Sequence, residues 1–282
     1  MNWLEPFQYE FMRTAMVIGS LIAVMSAVLS CFLILRGWSL MGDAISHAVL
    51  PGIVLAYMAG LPLLIGAFLS GLFCAVGTGW IKNNSRIKED TGMGVVFTGL
   101  FAVGLVLFSK VPSELHLDHI LFGNILGIGP EEWREILIVA TVVLLVLLLK
   151  RRDFLLLCFD QAQARVMALP VRVLHYGLLA LLSLAIVVSL KAVGIILVTA
   201  MLITPGATAY LWSDRFDRML WIASATAVFS TVLGVMISYH SDASPAACIV
   251  LFQASLFALS WMLAGRRGGK RKDPVSPNEA GC

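Results

Sequence analysis

The stretch WSLMGDAISHAVLPG (Trp38–Gly52) sets a carboxylate, Asp43, and an imidazole, His47, four residues apart in an otherwise apolar segment. On a helix, a spacing of four stacks two side chains on one face. Ionisable groups at membrane depth are costly, so they usually face a bundle interior or a water-filled path and mark function. The reading of the fold therefore turns on whether the chain around this pair crosses a membrane.

Composition says that it does. Of 282 residues 59% are apolar and only 13% charged, with a mean hydropathy of +0.91, far from soluble composition. The fold class is all-α, a polytopic integral membrane helix bundle. Polar blocks between apolar runs stay below about twenty-five residues, so one integral domain is expected over residues 1–265. The remainder, 266–282 (RRGGKRKDPVSPNEAGC), reads as a disordered basic cytosolic tail. The N-terminal MNWLEPFQYEFMRT is acidic where a signal peptide would be basic, so the first apolar run should remain as a span. Five cysteines are scattered without a CxxC pair and read as packing residues.

A helix needs about twenty apolar residues to cross the hydrocarbon layer. Nine runs qualify, roughly 14–35, 43–59, 62–81, 91–109, 135–149, 173–190, 192–212, 219–239 and 244–264. With the N-terminus outside, sixteen lysines and arginines fall inside and four outside, which sets the orientation and puts the C-terminus in the cytosol. The run at 135–149 is short and only Lys191 separates 173–190 from 192–212, so eight spans is the alternative count.

Within this frame, Ala67, Gly71, Ala75 and Gly79 form a small-residue stripe, a packing seam for close helix approach. The external segment 110–134 reads as a short amphipathic or re-entrant helix at the outer mouth, where His119 is a candidate entry residue beside Asp118 and His116. On the inner side FDQAQARVMAL (Phe159–Leu169) has amphipathic spacing, fitting either the underside of the bundle or a groove on a cytosolic partner. In the run 192–212, Thr199, Thr204 and Pro205-Gly206 suggest a broken helix, either a structural kink or a break whose freed polar groups line a path, and Pro51-Gly52 suggests a second break with the same choice.

The chemistry fits transport better than catalysis. GxxxxGK[ST] and HExxH are both missing, and no nucleophile has a base at local spacing, so the chain is not expected to be an enzyme. Asp43 and His47 are a metal-contacting pair, a proton relay or a structural hydrogen bond. As ligands they suit borderline divalent ions such as manganese, iron or zinc.

Five ordered blocks then carry a resemblance: LRGWSLMGDAISHAVLPGI (Leu35–Ile53), EDTGMGVVF (Glu89–Phe97), HILFGNILGI (His119–Ile128), FDQAQARVMAL and VGIILVTAMLITPGATA (Val193–Ala209). Together they resemble the membrane permeases of metal-type ABC importers, and more narrowly those of bacterial manganese and chelated-iron systems. The resemblance implies that Asp43 and His47 contact a transported divalent metal, with no permanently bound cofactor. It implies that Phe159, Asp160, Ala162 and Arg165 belong to a helix coupled to a cytosolic ATP-binding subunit; Leu169 stands where the family commonly has Gly. It further implies a second permease chain, like or unlike, an extracytoplasmic metal-binding protein, no nucleic-acid partner, and a place in the bacterial inner membrane. A zinc permease of the same architecture and an ion-coupled secondary metal transporter are the alternatives.

Overall fold

The computed structural model describes residues 5–86, 88–110, 123 and 125–268. Among the described residues every regular element is helical, as expected of an all-α bundle. A 3₁₀ turn at Glu5–Gln8 precedes α1 (Glu10–Arg36), α2 (Met41–Met58), α3 (Leu63–Asn84), α4 (Glu89–Lys110) and α5 (Pro130–Leu149). Two short helices follow, α6 (Arg151–Phe159) and α7 (Gln161–Val166), then α8 (Val171–Trp212), α9 (Phe216–Ser241) and α10 (Pro245–Gly268). His116, Asp118, His119 and the tail from 269 onward lie outside the described residues.

Seven helices, α1 to α4 and α8 to α10, are long and apolar enough to cross a membrane. One of them supplies two crossings. Straight, the 42 residues of α8 would extend about 63 Å, twice the hydrocarbon thickness. Gly194 instead has φ 78° and ψ 170°, outside helical space, in a positive-φ region that glycine enters freely. Both ends of α8 then lie at the same end of the bundle. Val171 and His175 share a cavity with Arg36 and Trp38, while Ile203 and Gly206 hydrogen-bond Ser30, two turns before Arg36 on α1. The chain therefore reverses at Gly194, three residues beyond the break expected at Lys191, and 171–193 and 195–212 run antiparallel.

The ninth crossing is α5. Its charged residues gather at its N-terminal end, where Glu131 and Glu132 occupy the first turn, favourable beside a helix N-terminus. There Lys191 Nζ meets Glu135 at 3.1 Å. At the opposite end Arg151 pairs with Asp217 at 2.8 Å, and the Phe32 ring packs on Phe216 and Phe154. These end-to-end contacts fit an up-and-down alternation of the spans.

Helices α1, α2 and α8 form the buried centre, with α3, α4 and α10 at the periphery. Exposed side chains such as Phe73, Val95 and Leu251 give those outer helices an apolar, lipid-compatible surface. Lipid is as apolar as leucine, so helices associate through close packing and small residues. The Ala67–Gly79 stripe serves this role: Ala67 and Ala75 are buried, and a Cβ on Gly71 would lie 2.6 Å from Ser183 Oγ and 3.0 Å from Ile45. The closest approach of α2 and α3 lies beside the stripe. A Cβ on Gly52 would stand 2.1 Å from the Gly66 carbonyl oxygen, and one on Gly66 would stand 2.2 Å from that of Gly52.

Three local expectations change. Pro51-Gly52 does not break α2, and Pro205-Gly206 does not break α8; both helices continue through these residues. Serines from neighbouring helices support them. Ser70 Oγ donates to the Ala48 carbonyl at 2.6 Å, while Ser30 Oγ donates to Ile203 O at 3.2 Å and accepts from Gly206 N at 3.1 Å. Nor is 159–169 a single amphipathic helix. Asp160 is extended and its carboxylate accepts the amides of Ala162 and Gln163 at 2.7 and 3.1 Å, so it caps a new helix.

Candidate functional site

Asp43 lies in the first turn of α2 and His47 one turn later. His47 Nε2 is 3.6 Å from Asp43 Oδ1, beyond a hydrogen bond but on a shared face. The two side chains are 32% and 40% exposed respectively, so neither is sealed inside the single chain. A purely structural buried pair would be enclosed and hydrogen-bonded.

Helix α4 covers one flank of this face. The His47 ring stacks on Phe97 with centroids 6.0 Å apart and meets Phe101 edge-on at 5.4 Å. One turn further, a Cβ on Gly104 would lie 2.9 Å from the Pro51 ring, so α4 rides directly on the proline. On another side of α2, a Cβ on Gly42 would meet Leu202 of α8 at 2.8 Å. Pro51 has no N–H to give the His47 carbonyl, its i−4 partner, which adds a potential oxygen donor near the imidazole.

The other candidates are dispersed. A cavity of about 320 Å³ at the Lys191 end, lined by Val49, Ile53, Glu132 and Lys191, opens on residues of α2 that turn away from His47. Thr199 donates to the Ile196 carbonyl on its own helix at 3.0 Å. Thr204 lines a polar crevice of about 10 Å³ with Thr208, Thr226, Ser230 and Gln253, at the lower limit for one water. Neither threonine joins the Asp43–His47 face through a described contact. Among the described residues no group of three or more His, Cys, Asp or Glu side chains is placed to hold a metal ion.

At the basic end, Phe159 is 67% and Val166 86% exposed, and Ala162 and Arg165 are exposed beside them. Only Ala164 of α7 is buried. The apolar residues that were expected to recur along one helix thus form an open patch across the α6–α7 corner.

The family profile described as the ABC 3 transport family matches residues 8–264, nearly every described residue. The chain belongs to the ABC 3 transport family. Among its relatives, the chelated iron transport system membrane protein YfeD of Yersinia pestis is 58% identical over 256 residues, covering 91% of this chain and 86% of that protein. The manganese transport system membrane protein MntB of Synechocystis sp. is 49% identical over 268 residues, covering 95% and 88%. In three dimensions the chain superposes on a chain of PsaBC from Streptococcus pneumoniae in complex with Fab, with a TM-score of 0.86 and 37% identity over 96% of this chain and 99% of that one. As an ABC 3 family member, this is a multi-pass membrane permease, consistent with the helix bundle.

Residues that sequence reasoning did not single out shape the site: Phe97 and Phe101 beside the imidazole, and Gly66 and Gly104, which with Gly52 fix the height and tilt of α2. Phe97 closes the EDTGMGVVF block, the one signal that could have placed it.

Proposed function

We propose that this chain is the permease subunit of an ABC importer that carries divalent manganese or iron across the bacterial inner membrane. The observation that carries the reading is the Asp43–His47 pair, half-exposed on the face of α2 in a member of a transport family whose relatives are named for iron and manganese. A carboxylate oxygen and an imidazole nitrogen 3.6 Å apart subtend about 110–120° at an ion bound at roughly 2.1–2.2 Å. The separation is therefore one that two ligands of a single ion can have.

Two donors leave the shell of such an ion incomplete. A second permease chain, like or unlike, brings another pair to the open side of α2, and water fills what remains. Hydrolysis of ATP belongs to a separate cytosolic subunit, for which Phe159, Val166 and the Asp160-capped turn of α7 offer a projecting surface. An extracytoplasmic metal-binding protein delivers the ion at the opposite end, and the C-terminus is cytosolic. Zinc is the second reading, since the same donors bind it at least as well.

The test is initial-rate uptake of radiolabelled manganese, iron and zinc by the complex reconstituted in vesicles, with and without ATP. Manganese or iron uptake that depends on ATP is expected. Asp43→Ala and His47→Ala should each lower it at least about tenfold, the effect of losing about 1.4 kcal/mol of ion contact, while the ATPase still co-purifies. Wild-type uptake in both variants removes the pair from the path, ATP-independent uptake by the chain alone makes it a secondary transporter, and uptake of zinc only moves the assignment to zinc.

A further inference from the structure

A second cavity, of about 310 Å³, lies at the basic end of the bundle between α7, the α1–α2 turn, α3 and the start of α8. It has room for roughly ten water-sized groups. Arg36, Arg165 and Arg172 converge on it from three different elements, and no Asp or Glu lies among its lining residues. Among the described residues no carboxylate forms an ion pair with any of the three. Arg36 donates to the Leu157 carbonyl at 3.1 Å, and its guanidinium also faces the Gln161 amide and the Trp38 ring.

We propose that this cavity binds a phosphate oxyanion, held by Arg36, Arg165 and Arg172. Guanidinium forks match phosphate geometry, which is why arginine dominates such sites. The group is carried by an anionic phospholipid headgroup or is free inorganic phosphate. The exposed rings of Trp80 and Tyr176, next to the lining residues Gly79 and His175, lie where aromatic side chains mark the headgroup level of a bilayer. Basic pockets between spans on the cytosolic side take lipid phosphates in this way. Gln161 and Arg165 are on α7 while Arg36 and Trp38 border α2, so the bound anion joins the ATPase-facing corner to the helix that bears Asp43.

The experiment uses the full permease with its ATPase, in nanodiscs of phosphatidylcholine with or without phosphatidylglycerol. Native mass spectrometry counts retained lipid, and calorimetry in detergent follows inorganic phosphate. Arg172→Gln removes one guanidinium, and Arg172→Lys keeps the charge as a control for folding. Retention of phosphatidylglycerol over phosphatidylcholine, reduced about tenfold by Arg172→Gln and less by Arg172→Lys, supports the lipid source. Phosphate binding with the same order of variants, and no lipid preference, supports the free anion. Equal binding of both probes by wild type and Arg172→Gln overturns the site. Loss of the ATPase from Arg172→Gln, with lipid and phosphate binding unchanged, also overturns it and reassigns the arginines to a carboxylate of the partner.

Discussion

Replacing Gly52 by alanine tests the architecture that holds the candidate site. The new Cβ would lie 2.1 Å from the Gly66 carbonyl oxygen, 2.7 Å from its carbon and 2.5 Å from Ser70 Cβ. The neighbour is backbone, so no rotamer change relieves the overlap, and α2 and α3 must part by about 1.3 Å to regain ordinary contact at 3.4 Å. Overpacking of this kind costs about 1–3 kcal/mol, and a rigid neighbour puts the cost toward the upper end. At about 2–4 °C per kcal/mol, the purified permease should melt roughly 5–10 °C lower. Gly66→Ala meets the same contact from the other side and should cost a similar amount, with the double variant well short of the sum. Gly94→Ala and Gly177→Ala meet nothing within 4 Å and should be neutral or gain up to about 1 kcal/mol from helix propensity. Gly52 is also five residues beyond His47, so the separation should tilt the donor pair and slow metal uptake. Tryptophan fluorescence melting in lipid-containing detergent reads the first effect and vesicle uptake the second. Equal midpoints for Gly52→Ala and Gly177→Ala would refute the backbone-to-backbone contact.

Three further outcomes follow from the basic end of the molecule. Asp160→Ala removes the cap of α7 and should destabilise that corner by about 1 kcal/mol, seen as faster amide exchange confined to 161–166 and weaker retention of the ATPase on co-purification. Ala168 has φ 55° at the helix end, with Leu169 N bonded to Ala164 O at 3.1 Å, a geometry that favours glycine. Ala168→Gly should therefore raise the melting midpoint, by an amount set by the roughly 1–2 kcal/mol cost of a Cβ in the left-handed region; an unchanged or lower midpoint contradicts the strain. Burial pushes the Cys158 thiol up to about 11 against a smaller opposing effect of Arg36. The fold thus favours the protonated thiol, and any stability this gives is complete below the ordinary value of 9.0 and lost as pH rises toward 11. At pH 8 the thiolate fraction is on the order of one in a thousand, so Cys158 should resist maleimide until the protein is unfolded.

The crossings were legible because each needs only a long apolar run. The donor pair was legible because a spacing of four survives any packing of the helix. Contacts between helices were not. Helix α4 is apolar on every side, so its sequence does not say that Phe97, Phe101 and Gly104 turn toward α2. The reversal of α8 was placed at Lys191 because a charge punctuates an apolar run, whereas Gly194 carries no local sign that its φ is positive. Proline-glycine pairs looked like breaks because sequence shows the lost N–H but not the serine of a neighbouring helix that supports the backbone there. At Asp160 two principles competed, amphipathic spacing favouring one helix and a capping carboxylate favouring two, and the cap won.

Under the proposed function, the contacts around α2 also bear on where the path runs. Gly52 against Gly66 fixes α2 to α3, Pro51 against Gly104 fixes it to α4, and Gly42 against Leu202 fixes it to α8. These three junctions occupy most of its circumference at backbone or near-backbone distance. The sector left over carries Asp43 and His47, and beyond it the outward face of α4 presents exposed Val95, Val103 and Val106. A path enclosed within this chain would have to displace one of the three junctions. A path between two permease chains displaces none, and each chain then contributes one wall and one donor pair. Under the proposed function, the half-exposure of Asp43 and His47 is what a shared path requires.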